Sequence, residues 1–230
     1  MAFLHLPLLL RAVCAGVHGQ SLRFANGCAF DAGFIYLDGT PDPAALDALH
    51  GRWGNRMFIP LSGAWEQALE AYEPQLVRTR RCQMQAGPGN PAKLAAYAAD
   101  IAEGYLLRDF DEEAFALHPF GHGRGYPDYA AFARTGAGAV VWYNGKIVAS
   151  ASSFISFAGE AELDVSTLAQ HRRRGLALAC CAAMLMQCAR RGIAVHWDAQ
   201  NDASRALAEK LGFVLDTSYT AYSFFTPEIP

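Results

Sequence analysis

Residues 160–177 read EAELDVSTLAQHRRRGLA, and no other stretch of the chain is as informative. Acidic and apolar side chains alternate over residues 160–165, which predicts a β-strand. A helix is predicted from about Arg174 to Arg191, where Gly192 provides a C-terminal cap. The six residues from Arg172 to Ala177 therefore lie between a strand and a helix, and they have the form R-x-x-G-x-A.

This segment has the chemistry of a phosphate-binding turn. The first N–H groups of a helix have no partner within the helix and point outward, toward an anion. Gly175 lets the backbone approach a ligand without an intervening Cβ, and Ala177 keeps the same surface low. Arg172, Arg173 and Arg174 add charge at the positive end of the helix dipole. The alternative is a basic turn that happens to contain a glycine.

The elements around this segment indicate an α/β fold. Asn144-Gly145 is a strong hairpin signal between strands at 139–143 and 146–157, and Ala158-Gly159 forms the next turn. Three antiparallel strands followed by strand–helix units are typical of α/β proteins. The later predicted elements are a strand at 193–199, a helix that begins at Asn201 or Asp202 and ends at Gly212, and two strand segments within 213–225.

The first half is predicted to be a smaller α/β region. The segment 117–128 is rich in glycine, proline and histidine, which predicts a loop between the two halves. We therefore divide the chain into an N-terminal α/β region, residues 1–117, and a second domain, residues 118–230. Predicted elements of the first region are strands at 30–37, 56–61, 76–85 and 105–110, and helices at 43–50, 62–71 and 91–101.

Composition argues against several kinds of partner. Hydrophobic residues make up 52% of the 230 residues, which is ample material for a core. The net charge is −3, whereas a dedicated nucleic-acid binder usually carries a basic excess. No apolar stretch reaches the ~20 residues of a membrane-spanning helix, so we expect neither nucleic acid nor a membrane as partner. The apolar segment Leu4–Leu10 lacks the positive charge that precedes a secretory signal, and a cleaved leader is the disfavoured alternative.

Cysteine and histidine spacings predict no metal site. The six cysteines form no C-x-x-C pair, so we expect buried free thiols and a reducing, cytoplasmic setting. His118 and His122 are four residues apart, as two metal ligands on a helix would be. Pro119 and the neighbouring glycines argue against a helix at this position.

From residue 136 onward, the order of motifs resembles the GNAT superfamily of N-acetyltransferases. Arg172–Ala177 matches the pyrophosphate-binding signature of that superfamily, and Asn201–Phe213 matches its second acyl-CoA segment, which ends in Gly-Phe. The implied fold is a mixed, mostly antiparallel sheet flanked by helices, in which domain 118–230 binds acyl-CoA and carries out catalysis. The first half is similar to the N-terminal region of a GNAT subgroup, as either a degenerate second copy of the fold or a lid.

The resemblance implies an acyltransferase that moves an acetyl group from acetyl-CoA to a small amine, without a metal. Main-chain groups at residues 165–167 would pair with the pantetheine arm, and backbone N–H groups at residues 172–177 would hold the pyrophosphate. Two polar residues after the next strand would line the far side of the cofactor. The implied cofactor-binding residues are Val165, Ser166, Thr167, Arg172, Arg173, Arg174, Gly175, Leu176, Ala177, Asn201 and Ser204.

Direct attack by an amine needs a base to remove its proton. Glu162 is the best candidate, because it lies on the strand that leads into the site, on the same face as Glu160 and Asp164. Neighbouring carboxylates raise one another's pKa toward the useful range. An ordinary solvated strand face is the alternative, and a water relay from any of the three carboxylates would also serve.

The acid that protonates the leaving thiolate departs from the family pattern. Many members of the superfamily carry a tyrosine one turn before Gly-Phe, and here that position is Ala208. Tyr219 and Tyr222, in the following strand, are the candidate substitutes, although an aromatic cluster there is more often core packing. Otherwise the thiolate leaves unassisted, a tyrosine from elsewhere acts, or catalysis is impaired.

Two further functions and one assembly stay open. Because Ala208 replaces the usual tyrosine, a non-catalytic module of the same fold that binds or senses acyl-CoA is one alternative. Small residues within 149–153 would leave room for an acyl group longer than acetyl, and transfer of such a group is the other alternative. An edge strand at the C-terminus would allow a homodimer.

Overall fold

The computed structural model describes residues 6–53, 55–73, 75–121, 123 and 125–224. The chain divides into two compact units. The first unit contains the chain up to Gln83 and the C-terminal segment from Asp216, and the second unit runs from Met84 to Leu215. The predicted boundary between the two functional regions at residue 117 stays a prediction. It differs from the limits of the two compact units.

The first unit is a sheet with helices. Its strands follow the order β1-β2-β3-β4-β11, in which β3 and β4 are parallel and the other pairs are antiparallel. Apolar side chains of α2, α3 and the strands form its core, around Trp65 and Phe58. Its elements are α1 (Leu8–Cys14), β1 (Gln20–Arg23), β2 (Gly27–Asp31), β3 (Ile35–Gly39), α2 (Pro43–Trp53), β4 (Met57–Pro60), α3 (Gly63–Tyr72), the first part of β5 (Val77–Ala86) and the last part of β11 (Phe213–Ser223).

The second unit contains the segment with the R-x-x-G-x-A motif. Its strands follow the order β10-β9-β8-β7-β6, and only β9 and β10 are parallel. Helix α7 packs on α4 and on strands β7, β8 and β9. Its elements are α4 (Pro91–Ala99), β6 (Tyr105–Asp109), α5 (Glu112–Leu117), α6 (Tyr129–Thr135), β7 (Gly138–Tyr143), β8 (Lys146–Phe157), β9 (Glu160–Thr167), a 3-10 turn (Ala169–His171), α7 (Leu176–Arg191), β10 (Ala194–Ala199) and α8 (Asp202–Lys210).

Both parts of the chain show the same series of elements. Three antiparallel strands, a helix, a parallel strand, a helix and a last strand occur as β1-β2-β3-α2-β4-α3-β5 and again as β7-β8-β9-α7-β10-α8-β11. In the first unit the strand beside β4 is β11, from the end of the chain, with Tyr222 opposite Phe58. Whether the first half acts as a degenerate second copy of the fold or as a lid stays a prediction.

The predicted fold class is confirmed as a mixed, mostly antiparallel α/β sheet with flanking helices. The hairpin at Asn144-Gly145 is also confirmed, since both residues have the positive φ angles, 48° and 72°, that favour these residue types. Helix α7 ends at Gly192 as predicted, because this glycine adopts φ 67° and closes the helix with its N–H. The helix begins at Leu176, two residues later than predicted.

Three sequence-based predictions are wrong. Residues 30–37 form a hairpin instead of one strand, because the side chain of Asp31 accepts a hydrogen bond from the N–H of Gly33 at 3.1 Å and turns the chain. The segment predicted as two strands after residue 212 is the single strand β11, and Phe225 lies outside the described residues. The short helices α5 and α6 were missed, although Asp111 and Asp128 cap them with their side chains.

Cysteine burial is mostly as predicted. Cys82, Cys180, Cys181 and Cys188 are buried free thiols, whereas Cys14 is exposed and contradicts the prediction. Burial raises the pKa of Cys188 to about 11. Within the described residues, no helix has both the length and the apolar character needed to cross a membrane.

Candidate functional site

The second unit contains an opening between its two parallel strands. Strands β9 and β10 pair only over Glu160–Glu162 and Ala194–His196. Val165, Ser166 and Thr167 lie beyond that register, and they are paired in register with β8 on the other side of β9. Ligands of α/β sheets bind at the carboxyl ends of parallel strands, and a free strand edge accepts an extended ligand through main-chain hydrogen bonds. The predicted pantetheine-binding residues therefore lie along an edge suited to that role.

The loop that follows β9, residues 168–175, contains predicted pyrophosphate-binding residues, and we call it the phosphate loop. It contains two residues with left-handed backbone, Arg173 at φ 63° and Gly175 at φ 79°, and φ is not positive at Arg174 between them. Such alternation turns successive N–H groups toward one side, which is the geometry of an anion-binding nest. The Nε of Arg172 donates to the carbonyl oxygen of Thr167 at 3.2 Å and holds the start of the loop to the end of β9. Residues 172–175 are exposed, so this concave backbone is open to a ligand.

The first turn of α7 lacks a capping side chain. Gly175 is the residue before the helix, and it cannot supply a side-chain oxygen to the first N–H groups. A Cβ built on Gly175 would have no atom within 4 Å. Leu176 is buried and Ala177 is half-buried. The glycine is thus required by its φ angle, and it leaves these N–H groups uncovered.

Asn201 and Ser204 have structural partners within the second unit. The side-chain oxygen of Asn201 accepts a hydrogen bond from the N–H of Ser204 at 2.9 Å and caps α8. The hydroxyl of Ser204 accepts a hydrogen bond from Nε1 of the buried Trp197 at 3.0 Å. Their positions at the start of α8, directly after β10, agree with the order of the motif, and their contact with a cofactor stays a prediction.

Asn201→Ala should lower the free energy of unfolding by about 1 kcal/mol, because it removes the cap of α8. For a chain of this length that is roughly 2–4 °C in Tm. Asn201→Asp keeps an acceptor oxygen and should keep most of the stability. Thermal unfolding of the three proteins without ligand checks this, and equal Tm values for wild type and Asn201→Ala would contradict it.

Glu162 lies in an acidic and imidazole-containing cluster. Its side chain is only 8% exposed, and His196 of β10 is its register neighbour. The carboxylate of Glu160, two residues earlier on the same face, contacts Nε2 of His196. The structure therefore brings Glu160, Glu162 and His196 together at the point where β9 and β10 stop pairing. The alternation in the sequence predicts the carboxylates on one face of the strand, and it gives no signal for the contact of Glu160 with His196.

The two candidate tyrosines belong to the first unit, whereas Glu162 belongs to the second. Both are buried, and they lie three residues apart on a strand, hence on opposite faces. The hydroxyl of Tyr222 donates to Oε1 of Glu70 at 3.1 Å. Burial and this carboxylate raise the pKa of Tyr222 to about 12, which makes it a poorer acid than an ordinary tyrosine. The role of Tyr219 as the acid stays a prediction.

Ala208, at the position where related enzymes carry a tyrosine, is 0% exposed within α8. Sequence reasoning also missed an aromatic group beside the phosphate loop, formed by Tyr105, Tyr143 and His171. No local signal identifies it, because His171 lies 66 residues after Tyr105.

Among the described residues, no group of three or more His, Cys, Asp or Glu side chains is arranged to hold a metal ion.

Known proteins are similar to this chain in sequence and in fold. N-acetyltransferase YdfB of Bacillus subtilis (strain 168), described as uncharacterized, is 29% identical over 168 residues, which cover 70% of this chain and 63% of that protein. The chain thus matches less than two thirds of the length of this relative. A GCN5-related N-acetyltransferase-like protein from Streptococcus suis 89/1591 has a TM-score of 0.85 at 26% identity, over 95% of this chain and 93% of that one.

A second solved structure, a GCN5-related N-acetyltransferase from Kribbella flavida, shares the fold with a TM-score of 0.57 at 16% identity, over 95% of this chain and 96% of that one. The model of the GNAT acetyltransferase family matches residues 16–222, and this span includes both compact units. The resemblance inferred from the motifs after residue 136 is therefore confirmed. The chain belongs to the GNAT acetyltransferase family.

Proposed function

We propose that this chain transfers an acetyl group from acetyl-CoA to a small amine, and that the second unit holds the acyl-CoA. The observation that carries the proposal is the phosphate loop directly after the part of β9 that lies beyond the register with β10. One ligand can then meet the main chain of residues 165–167 and the N–H groups of residues 172–177. Buried free thiols support the further proposal of a reducing, cytoplasmic setting.

In the proposed reaction, the amine nitrogen attacks the thioester carbonyl carbon, the C–S bond breaks, and the products are an amide and free CoA. Glu162 takes the proton that the amine loses, since its carboxylate lies in a nearly water-free position close to the opening. Glu160, two residues earlier on the same face, contacts His196. The carboxylates on this face also favour a cationic acceptor.

The leaving thiolate needs a proton or must depart without one. Ala208 cannot supply it, and the pKa of Tyr222 is raised to about 12 by burial and by Glu70. These two observations favour a second candidate function, a module that binds acyl-CoA without turning it over.

The small residues of β8 bear on the length of the acyl group. Four of them are fully buried between β7 and β9, namely Ala149, Ala151, Ser152 and Ser153. This burial favours acetyl over a longer acyl group.

Release of free CoA from acetyl-CoA distinguishes the two candidate functions. We expect the purified chain to release CoA from acetyl-CoA, measured with a thiol reagent, when it is given an amine from a panel of a polyamine, an amino sugar, an amino acid and an arylalkylamine. Release should be faster with acetyl-CoA than with butyryl-CoA. Binding of acetyl-CoA without CoA release for any amine would favour the sensing module.

A further inference from the structure

Three aromatic side chains meet at the edge of the second unit. Tyr105 of β6 and Tyr143 of β7 are register neighbours, and their rings stack with centroids 4.6 Å apart. The ring of His171 lies against both, with centroids 5.7 Å from Tyr105 and 5.2 Å from Tyr143. A hydrogen bond of 2.9 Å joins the hydroxyl of Tyr105 to Nδ1 of His171. We call these three residues the aromatic clamp.

The aromatic clamp holds the phosphate loop at its middle. His171 is the last residue of the 3-10 turn, and Arg173, two residues later, has the left-handed backbone that side chains with a Cβ rarely adopt. Such a conformation persists only where the surroundings fix it. The loop is fixed before Arg173 by His171 and by the bond from Arg172 to Thr167, and after it by α7. Loss of the aromatic clamp would remove one of these attachments.

We propose that the aromatic clamp pre-organises the phosphate loop and thereby sets the affinity for the diphosphate of acyl-CoA, with Tyr105 and His171 as positioning residues. The inference rests on the proposed function, because it assumes that the loop binds acyl-CoA. A ligand that finds its N–H donors already arranged does not spend binding energy on ordering them. The clamp residues act through the loop backbone, and the effect is specific to the diphosphate part of the ligand.

Tyr105→Phe keeps the stacked ring and removes only the hydroxyl. We expect this variant to raise the Kd of acetyl-CoA, measured by titration calorimetry, about 3- to 10-fold, the range that corresponds to one hydrogen bond. The KM for acetyl-CoA should rise with it, while kcat stays unchanged. S-acetylpantetheine, a donor without the diphosphate, should react with wild type and variant at equal kcat/KM. Tyr143→Phe is the matched control, since Tyr143 contributes to the clamp through its ring.

A double-variant cycle tests the coupling. His171→Ala should raise the Kd at least as much as Tyr105→Phe, and the double variant should be no worse than His171→Ala alone, because the two side chains act through one bond. An unchanged Kd in both single variants, additive losses, or an equal loss with S-acetylpantetheine would overturn the inference. Wild-type protein that fails to bind acetyl-CoA would overturn the proposed function itself, which is a separate result.

Discussion

Gly175→Glu should abolish the stabilisation that acetyl-CoA gives to the wild-type chain. At a ligand concentration about a hundredfold above Kd, binding adds ~2.7 kcal/mol to the free energy of unfolding. In a chain of this size that corresponds to roughly 5–10 °C in Tm, at ~2–4 °C per kcal/mol. In the variant, a carboxylate stands at the uncovered N–H groups of α7 and repels the pyrophosphate. Thermal-shift titration with acetyl-CoA measures both proteins.

The variant should remain folded, so that the loss is one of binding. Glutamate at φ 79° costs about 1–2 kcal/mol in backbone strain, and the side chain enters open space. Its negative charge at the N-terminus of α7 offsets part of this cost through the helix dipole. Gly175→Gln is the isosteric control, with equal strain and no charge, and it should keep part of the thermal shift.

Gly192→Glu, at the other end of the same helix, is the matched control for strain. Gly192 has φ 67°, and a Cβ there also meets no atom within 4 Å. A carboxylate at the C-terminal end of a helix is unfavourable, so this variant should be less stable than Gly175→Glu and should still gain the full shift from acetyl-CoA. Loss of the shift in both variants would mean that general destabilisation, rather than the phosphate loop, causes it.

Features that depend on neighbouring residues could be predicted from the sequence. The turn at Asn144-Gly145, the end of α7 at Gly192 and the start of α8 at Asn201 each require a particular residue type at one backbone position. The R-x-x-G-x-A segment is of the same kind, since its loop and helix start are contiguous in the chain. These local requirements account for the correct prediction of these elements.

Features that depend on contacts across the fold could not be predicted. The pairing of Glu160 with His196 follows from the register of β9 and β10, and the bond from Tyr105 to His171 joins residues far apart in the chain. The last strand was also misjudged, because its second part belongs to the first unit and buries Tyr222 against Glu70. Proximity in sequence to the Gly-Phe pair therefore did not indicate which tyrosine could act as an acid.

Glu162→Gln should lower kcat about 10²- to 10⁴-fold, the usual contribution of a general base. Glutamine has the shape of glutamate and cannot take a proton from the amine. The thermal shift with acetyl-CoA should be unchanged, because Glu162 lies on β9 before the residues that meet the ligand backbone. The measurement is the rate of CoA release with the most active amine of the panel, compared between wild type and variant at saturating acetyl-CoA.

Glu160→Gln is the matched control, since it removes a carboxylate from the same face of the same strand, two residues away. This carboxylate contacts His196, so we expect a loss of less than about tenfold, an indirect effect well below that of removing a base. A larger loss in Glu160→Gln than in Glu162→Gln would transfer the role of base to the Glu160–His196 pair. Equal and small losses in both, with Asp164→Asn as the damaging change, would instead indicate a water relay that ends at Asp164. Each outcome assigns the proton to one carboxylate, because the three residues share a face of β9 and each variant removes only one of them.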